Sequence, residues 1–196
     1  MDSGRFETFI DAILAIMMTV MVLKIPQPTT MTMRGIWDLH VMFFAYFLSF
    51  IILFSIWDHH RKLFNFLEDI NNNVIWMYSV LIFIVTLVPY FTAWVAHNPY
   101  DLLPELMYGL IFVLVNVLFV LSTKVAIKHD VHNHEINGIS YKEVLLLNCA
   151  IFLIGCVVSL MGYPICMMIL CLLTVITWNT IPYIQKTYVL GDDDGN

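Results

Sequence analysis

Charge is what this sequence has least of. Only 12% of its 196 residues are Asp, Glu, Lys or Arg, while 60% are hydrophobic and the mean hydropathy is +0.82. Soluble globular domains carry about 25% charged residues, so this composition excludes a water-soluble domain and indicates an integral membrane protein. The net charge of −6 overstates any acidic character, because Asp192, Asp193 and Asp194 sit together near the C-terminus and the balance without them is −3. No basic or arginine-rich stretch is present, so nucleic acid is not an expected partner. Cysteine is sparse: Cys149, Cys156, Cys166 and Cys171 all lie in the last two apolar runs, with no C-x-x-C pair. They read as small apolar fillers of membrane helices rather than redox groups.

Catalytic and cofactor motifs are missing as well. The sequence has no phosphate-cradling glycine loop, no G-x-S-x-G and no H-E-x-x-H, so neither an enzyme nor a bound cofactor is expected. It has no T-V-G-Y-G, the carbonyl-lined filter of ordinary potassium channels. Pumps and transporters bury ionisable groups near the bilayer midplane, and apolar runs three to six carry none at their centres. Asn116 and Asn148 are the main polar residues there and read as interhelical hydrogen-bond formers. His129, His132, His134 and Glu135 cluster in one polar connection, which reads as a solvated loop because zinc needs preset ligand geometry. No metal site is expected.

What is present is a series of apolar runs. About 20 such residues cross a bilayer. The runs 6–25, 36–57, 74–95, 103–123, 143–162 and 164–184 meet that measure. Pro26 and Pro28 end the first, Pro99 and Pro104 bracket the third connection, and Gly162-Tyr163-Pro164 makes the tightest turn. The expected fold is therefore all-α: six transmembrane helices in one domain over 1–185, with a short acidic tail at 186–196. The first run is too long for a signal-peptide core and lacks a cleavage site, so it is expected to be retained. An inside N-terminus puts Arg5, Arg61, Lys62, Lys124, Lys128, Lys142 and Lys186 on the cytoplasmic side. Only Lys24 and Arg34 then lie outside, a bias that places both termini in the cytoplasm.

The first run poses the sharpest question, because Glu7, Thr8 and Asp11 interrupt it. A carboxylate inside hydrocarbon costs roughly 2.5–3.5 kcal/mol on insertion scales and normally has a partner or a function. At about 100° per residue, with Ile16 as zero, Leu23 falls near −20°, Val20 near +40°, Ala12 near −40° and Thr19 near −60°. Arg5 and Phe9 fall within about 20° of the same line, and Asp11 lies near −140°. One stripe of Arg5, Phe9, Ala12, Ile16, Thr19, Val20 and Leu23 thus runs the length of the helix. It either packs against helices or lipid, as most apolar stripes do, or faces a symmetry axis where several subunits enclose a pore. In the second case Asp11 points into its own bundle, where Trp57, His59 and His60 are available partners. A transporter that uses Asp11 as a carrier carboxylate is the alternative, and a non-conducting scaffold is a third.

The motif around that stripe resembles a known family. Arg5, Phe9, Asp11 and Ala12 are similar to the R-x-x-x-F-S-D signature of the transmembrane protein 175 family, lysosomal potassium channels of animals with shorter bacterial relatives. The likeness continues at Ser49-Phe50, at Trp57-Asp58-His59-His60-Arg61 and at Pro89-Tyr90-Phe91-Thr92. The signature's serine is Ile10 here. The resemblance implies a potassium-permeable leak channel in a bacterial plasma membrane, built as a homotetramer with one first helix from each subunit around the pore. It implies a hydrophobic constriction at Ile16, a lining residue at Thr19 and a further narrowing at Leu23. Arg5, Phe9 and Asp11 would form a bracing network with Trp57, His59 and His60. Potassium ions and the bilayer are the implied partners.

Overall fold

In a computed structural model of the chain, residues 3–64, 71–129, 141–163 and 165–174 are described. Among them all regular structure is helical: α1 (Ser3–Val22), α2 (Met33–Trp37), α3 (His40–Phe64), α4 (Asn72–Val85), α5 (Val88–His97), α6 (Leu102–His129) and α7 (Tyr141–Leu160). A further helix, α8, occupies 166–174. Three stretches are long and apolar enough to cross a membrane, His40–Phe64, Asn72–His97 and Leu102–Ala126, and Leu145–Leu160 is a shorter apolar helix. The histidine-bearing connection at 130–140, the end of the expected sixth span and the acidic tail lie outside the described residues.

The expected third span, 74–95, is one crossing made of two helices. Pro89 stands in the first turn of α5 and has no N–H to give the Val85 carbonyl, so the α-helical ladder cannot run through it. The chain instead tightens at Thr86 and Leu87. The Leu87 amide bonds Ile84 O at 3.1 Å, and the Thr86 hydroxyl donates to Phe83 O at 2.7 Å. The expected fourth span, 103–123, departs in the other direction: α6 runs on to His129. Lys124 and Lys128 are good helix formers and no Pro or Gly intervenes before Gly138. The expected second span, 36–57, is shifted: its start belongs to α2, a separate five-residue helix that the Thr32 side chain caps by accepting from the Gly35 amide at 3.3 Å, and the long helix α3 runs from His40 to Phe64.

α6 forms the middle of the bundle, against α4, α5 and α7, while α1 lies on α3, α4 and α5. The buried face of α6 repeats at helical spacing through Tyr108, Phe112, Val115 and Phe119. α7 turns into α8 through Gly162, whose φ of +98° lies in the left-handed region. Nothing would touch an added Cβ there, so the cost of a side chain is backbone strain alone. Gly162→Ala is expected to destabilise the chain by about 1–2 kcal/mol, read as a lower detergent melting temperature. An unchanged melting temperature would mean that the turn relaxes without strain.

Candidate conduction surface

α1 is the element on which the candidate residues converge. One side of it is sealed: Phe6, Ile10, Leu14 and Met21 are buried, with Ile10 and Leu14 each 1% exposed. The other side is bare. Ile16 is 53% exposed, Leu23 79% and Phe9 58%, and Arg5, Ala12 and Thr19 are exposed with them. Val20 is half-buried at the edge of this face. The subunit therefore leaves uncovered the same stripe that the helical wheel picks out. The Thr19 hydroxyl lies within reach of two backbone acceptors in its own helix, Ile16 O at 2.9 Å and Ala15 O at 3.2 Å. Its proton is satisfied locally, and its oxygen remains available on the exposed side.

Lipid-facing helices expose apolar side chains too, so exposure by itself does not make a pore. What distinguishes α1 is the make-up of the face. Ala12 and Thr19 are small, which permits close approach of symmetry-related helices. Charged Arg5 sits at its N-terminal end.

The expected bracing network is only partly assembled within the subunit. Asp11 is half-buried, and its Oδ1 is buried with no hydrogen-bond partner among the described residues. The three candidate partners are engaged elsewhere. Trp57 lies under the Arg61 guanidinium, 5.3 Å from the ring centroid, and tilts against Phe54. His59 pairs its Nδ1 with Ser55 O at 2.8 Å and meets Phe119 edge-on. His60 is buried among rings, 4.3 Å from Phe64 and 5.4 Å from Tyr78 between centroids, with neither nitrogen bonded among the described residues. The pairing of Asp11 with an indole or imidazole is thus not made among the described residues of the subunit. Asp58 instead gathers the local cations, with Lys62 at 2.5 Å and Arg61 at 3.5 Å.

Two of the sequence motifs do meet. Ser49 of α3 and Thr92 of α5 are hydrogen-bonded at 2.8 Å, and Ser49 also reaches the Tyr108 hydroxyl of α6 at 3.0 Å. This buried hydroxyl cluster ties three helices together behind α1. The sequence reading missed Tyr108 and its neighbour Glu105, one turn earlier on the same face. Glu105 is fully buried, and its carboxylate faces the Met168 backbone in the first turn of α8, with no side-chain partner among the described residues. The signal was present as an acid and a tyrosine at i, i+3 just inside Pro104. Among the described residues no His, Cys, Asp or Glu grouping could hold a metal. The sequence cluster His129, His132, His134 and Glu135 has its last three members outside them.

The profile of the family described as "Endosomal/lysosomal potassium channel TMEM175" matches residues 5–89, which hold α1, the hydroxyl partner Ser49 and the aromatic box around His60. A potassium channel of Chryseobacterium sp. (strain P1-3) is 26% identical over 164 residues, 84% of this chain and 85% of that one. One from Streptomyces collinus is 28% identical over 101 residues, covering 48% of each chain. A third, from Chamaesiphon minutus, is 26% identical over 127 residues, 60% of this chain and 63% of the other. Among solved structures, the crystal structure of a lysosomal potassium-selective channel TMEM175 homolog from Chamaesiphon minutus superposes with a TM-score of 0.77. It covers 91% of this chain and 96% of that one at 21% identity, a shared fold.

Proposed function

We infer that this chain is a member of the TMEM175 family and a potassium-permeable membrane channel, not an enzyme. Its pore is formed by α1 from each of four subunits, so that Ile16 becomes an apolar ring, Thr19 and Val20 line the path beyond it, and Leu23 narrows the outer end. Ala12 lines the approach from the cytoplasm. Each subunit crosses the plasma membrane six times with both termini inside. Flow is passive, with no nucleotide and no coupling ion, and an apolar ring gives a milder preference for potassium over sodium than a carbonyl filter does. The observation that carries this reading is the two-sidedness of α1. Its Phe6–Ile10–Leu14–Met21 ridge is buried while the Ile16–Leu23 side is left open, as a helix shared around an axis must be.

Purified protein in liposomes should release potassium down its gradient, faster than sodium, and should run as a tetramer. Absence of any cation flux from such tetramers would sink the reading.

One observation favours a second mechanism, an Asp11-based coupled transporter: Asp11 keeps a buried oxygen without a partner in the subunit. Asp11→Asn separates the two. A channel with a bracing Asp11 should lose thermal stability or tetramer yield, by about 1–3 kcal/mol for a buried group that loses its charge-assisted contacts between subunits. The protein that does assemble should still conduct. A transporter should keep its stability and lose flux altogether.

A further inference from the structure

The position where this chain departs from the family signature turns out to be one of its most buried. Ile10 and Leu14 line a small cavity with His60, Tyr78, Leu81 and Val85. Phe6, one turn before Ile10, closes the same region, with its ring 6.1 Å from Phe64 and 6.2 Å from Tyr78. His60 sits inside this box of rings and bonds none of the described residues through its nitrogens. On α1, the Thr8 and Thr19 hydroxyls donate to backbone oxygens of their own helix, so they do not orient it against its neighbours. The rotation of α1 about its own axis is therefore set by the fit of a ridge with spacing i, i+4, i+8 into the α3–α4 groove.

We propose that Ile10 is a positioning residue for the conducting helix: its branched side chain, keyed against His60 and Tyr78, fixes by shape the rotation that turns Ile16 and Leu23 toward the pore axis. The inference rests on the channel reading for what lies at that axis. A helix turns about 100° per residue, so a rotation of a few tens of degrees exchanges Thr19 or Val20 for Ile16 at the narrowest point. A serine at position 10 would leave the groove under-filled unless it bonded His60. Here the branched isoleucine occupies that place beside a small remaining cavity, and the His60 nitrogens bond none of the described residues.

The test is thiol labelling of the full chain in detergent, in a background where the four natural cysteines are replaced. Single substitutions Leu14→Cys, Ile16→Cys, Thr19→Cys and Leu23→Cys are labelled by a small water-soluble reagent. With Ile10 intact, Ile16→Cys and Leu23→Cys should react at least about tenfold faster than Leu14→Cys, because a sealed position is reached only on local opening. Adding Ile10→Ala or Ile10→Ser should shrink that ratio at least threefold while the tetramer persists, and Ile10→Val should shrink it less. If Ile10→Ala fails to assemble, Ile10→Val and Ile10→Leu supply the comparison. A ratio that stays at its Ile10 value in every variant that assembles overturns the proposal. The channel reading fails in a different way, by absence of cation flux from the protein with Ile10 intact, and the labelling ratio decides the rotation independently of flux.

Discussion

Replacing Ile16 by asparagine should raise unitary potassium conductance about three- to tenfold and lower the preference for potassium over sodium. Ile16 is half exposed on the side that the bundle leaves open, and four-fold symmetry would repeat it around the axis. A ring of branched hydrocarbon at a constriction repels water, so a cation passing it gives up hydration without receiving ligands. An asparagine side chain is smaller and offers a carbonyl oxygen and two N–H donors, which lets water enter the ring. A tenfold gain in rate corresponds to about 1.4 kcal/mol off the barrier, and a threefold gain to about half of that. Both are small beside the cost of stripping an ion, so the estimate is conservative. Discrimination should fall at the same time, since water now accompanies either ion. Leu23→Asn should act in the same direction but more weakly, because Leu23 is 79% exposed just beyond the last residue of α1, where the helix no longer holds it. If Ile16→Asn leaves both conductance and the permeability ratio unchanged, the narrowest point of the pathway lies elsewhere.

That stripe was readable from sequence because it depends on one quantity, the helical period, over a single uninterrupted helix. The observed α1 keeps its period from Ser3 to Val22, and every stripe residue except half-buried Val20 is exposed. Hydropathy places three spans among the described residues, His40–Phe64, Asn72–His97 and Leu102–Ala126, over the expected second, third and fourth runs, since length and apolarity are what a bilayer selects. It failed where a local backbone rule acts inside an apolar run. Pro89 divides the third span without lowering its hydropathy, and Thr32 starts α2 in a loop too short to show a period. Partner choice was the least legible. Asp11, Trp57 and His60 are close in motif terms, yet Trp57 is held by Arg61 and His60 by aromatic rings. Which of several polar neighbours a side chain takes depends on rotation and depth of packing between helices, which spacing along one helix does not encode. Ile10 illustrates the same point: as a letter it breaks the signature, and in the fold it is the filler that the groove requires.

The largest loss of stability is expected from Ser49→Ala, and the reason is its place as a hub. The Ser49 hydroxyl contacts both Thr92 and Tyr108, all three are buried, and they belong to α3, α5 and α6. A buried hydroxyl left without a partner costs about 1–3 kcal/mol, more than a satisfied bond contributes. Ser49→Ala orphans up to two hydroxyls at once, so the loss should be about 2–4 kcal/mol. Tyr108→Phe, by contrast, removes an end of the chain and leaves Ser49 and Thr92 bonded to each other, for about 1 kcal/mol. The triple replacement Ser49→Ala, Thr92→Val, Tyr108→Phe removes every polar atom of the cluster and should be more stable than Ser49→Ala alone. Such a reversal is the signature of a coupled network and not of three separate contacts. Thermal melting of the tetramer in detergent reads all four proteins on one scale. Additive losses across the series would mean that the hydroxyls find other acceptors in their own helices, which Thr92 could do only by bonding back to its own turn. Because α1 packs directly on α3 and α5, the same substitutions should broaden the distribution of unitary conductances in whatever channels still form. A conductance as uniform as that of the unaltered protein would show that α1 is held by its Phe6–Ile10–Leu14 ridge alone.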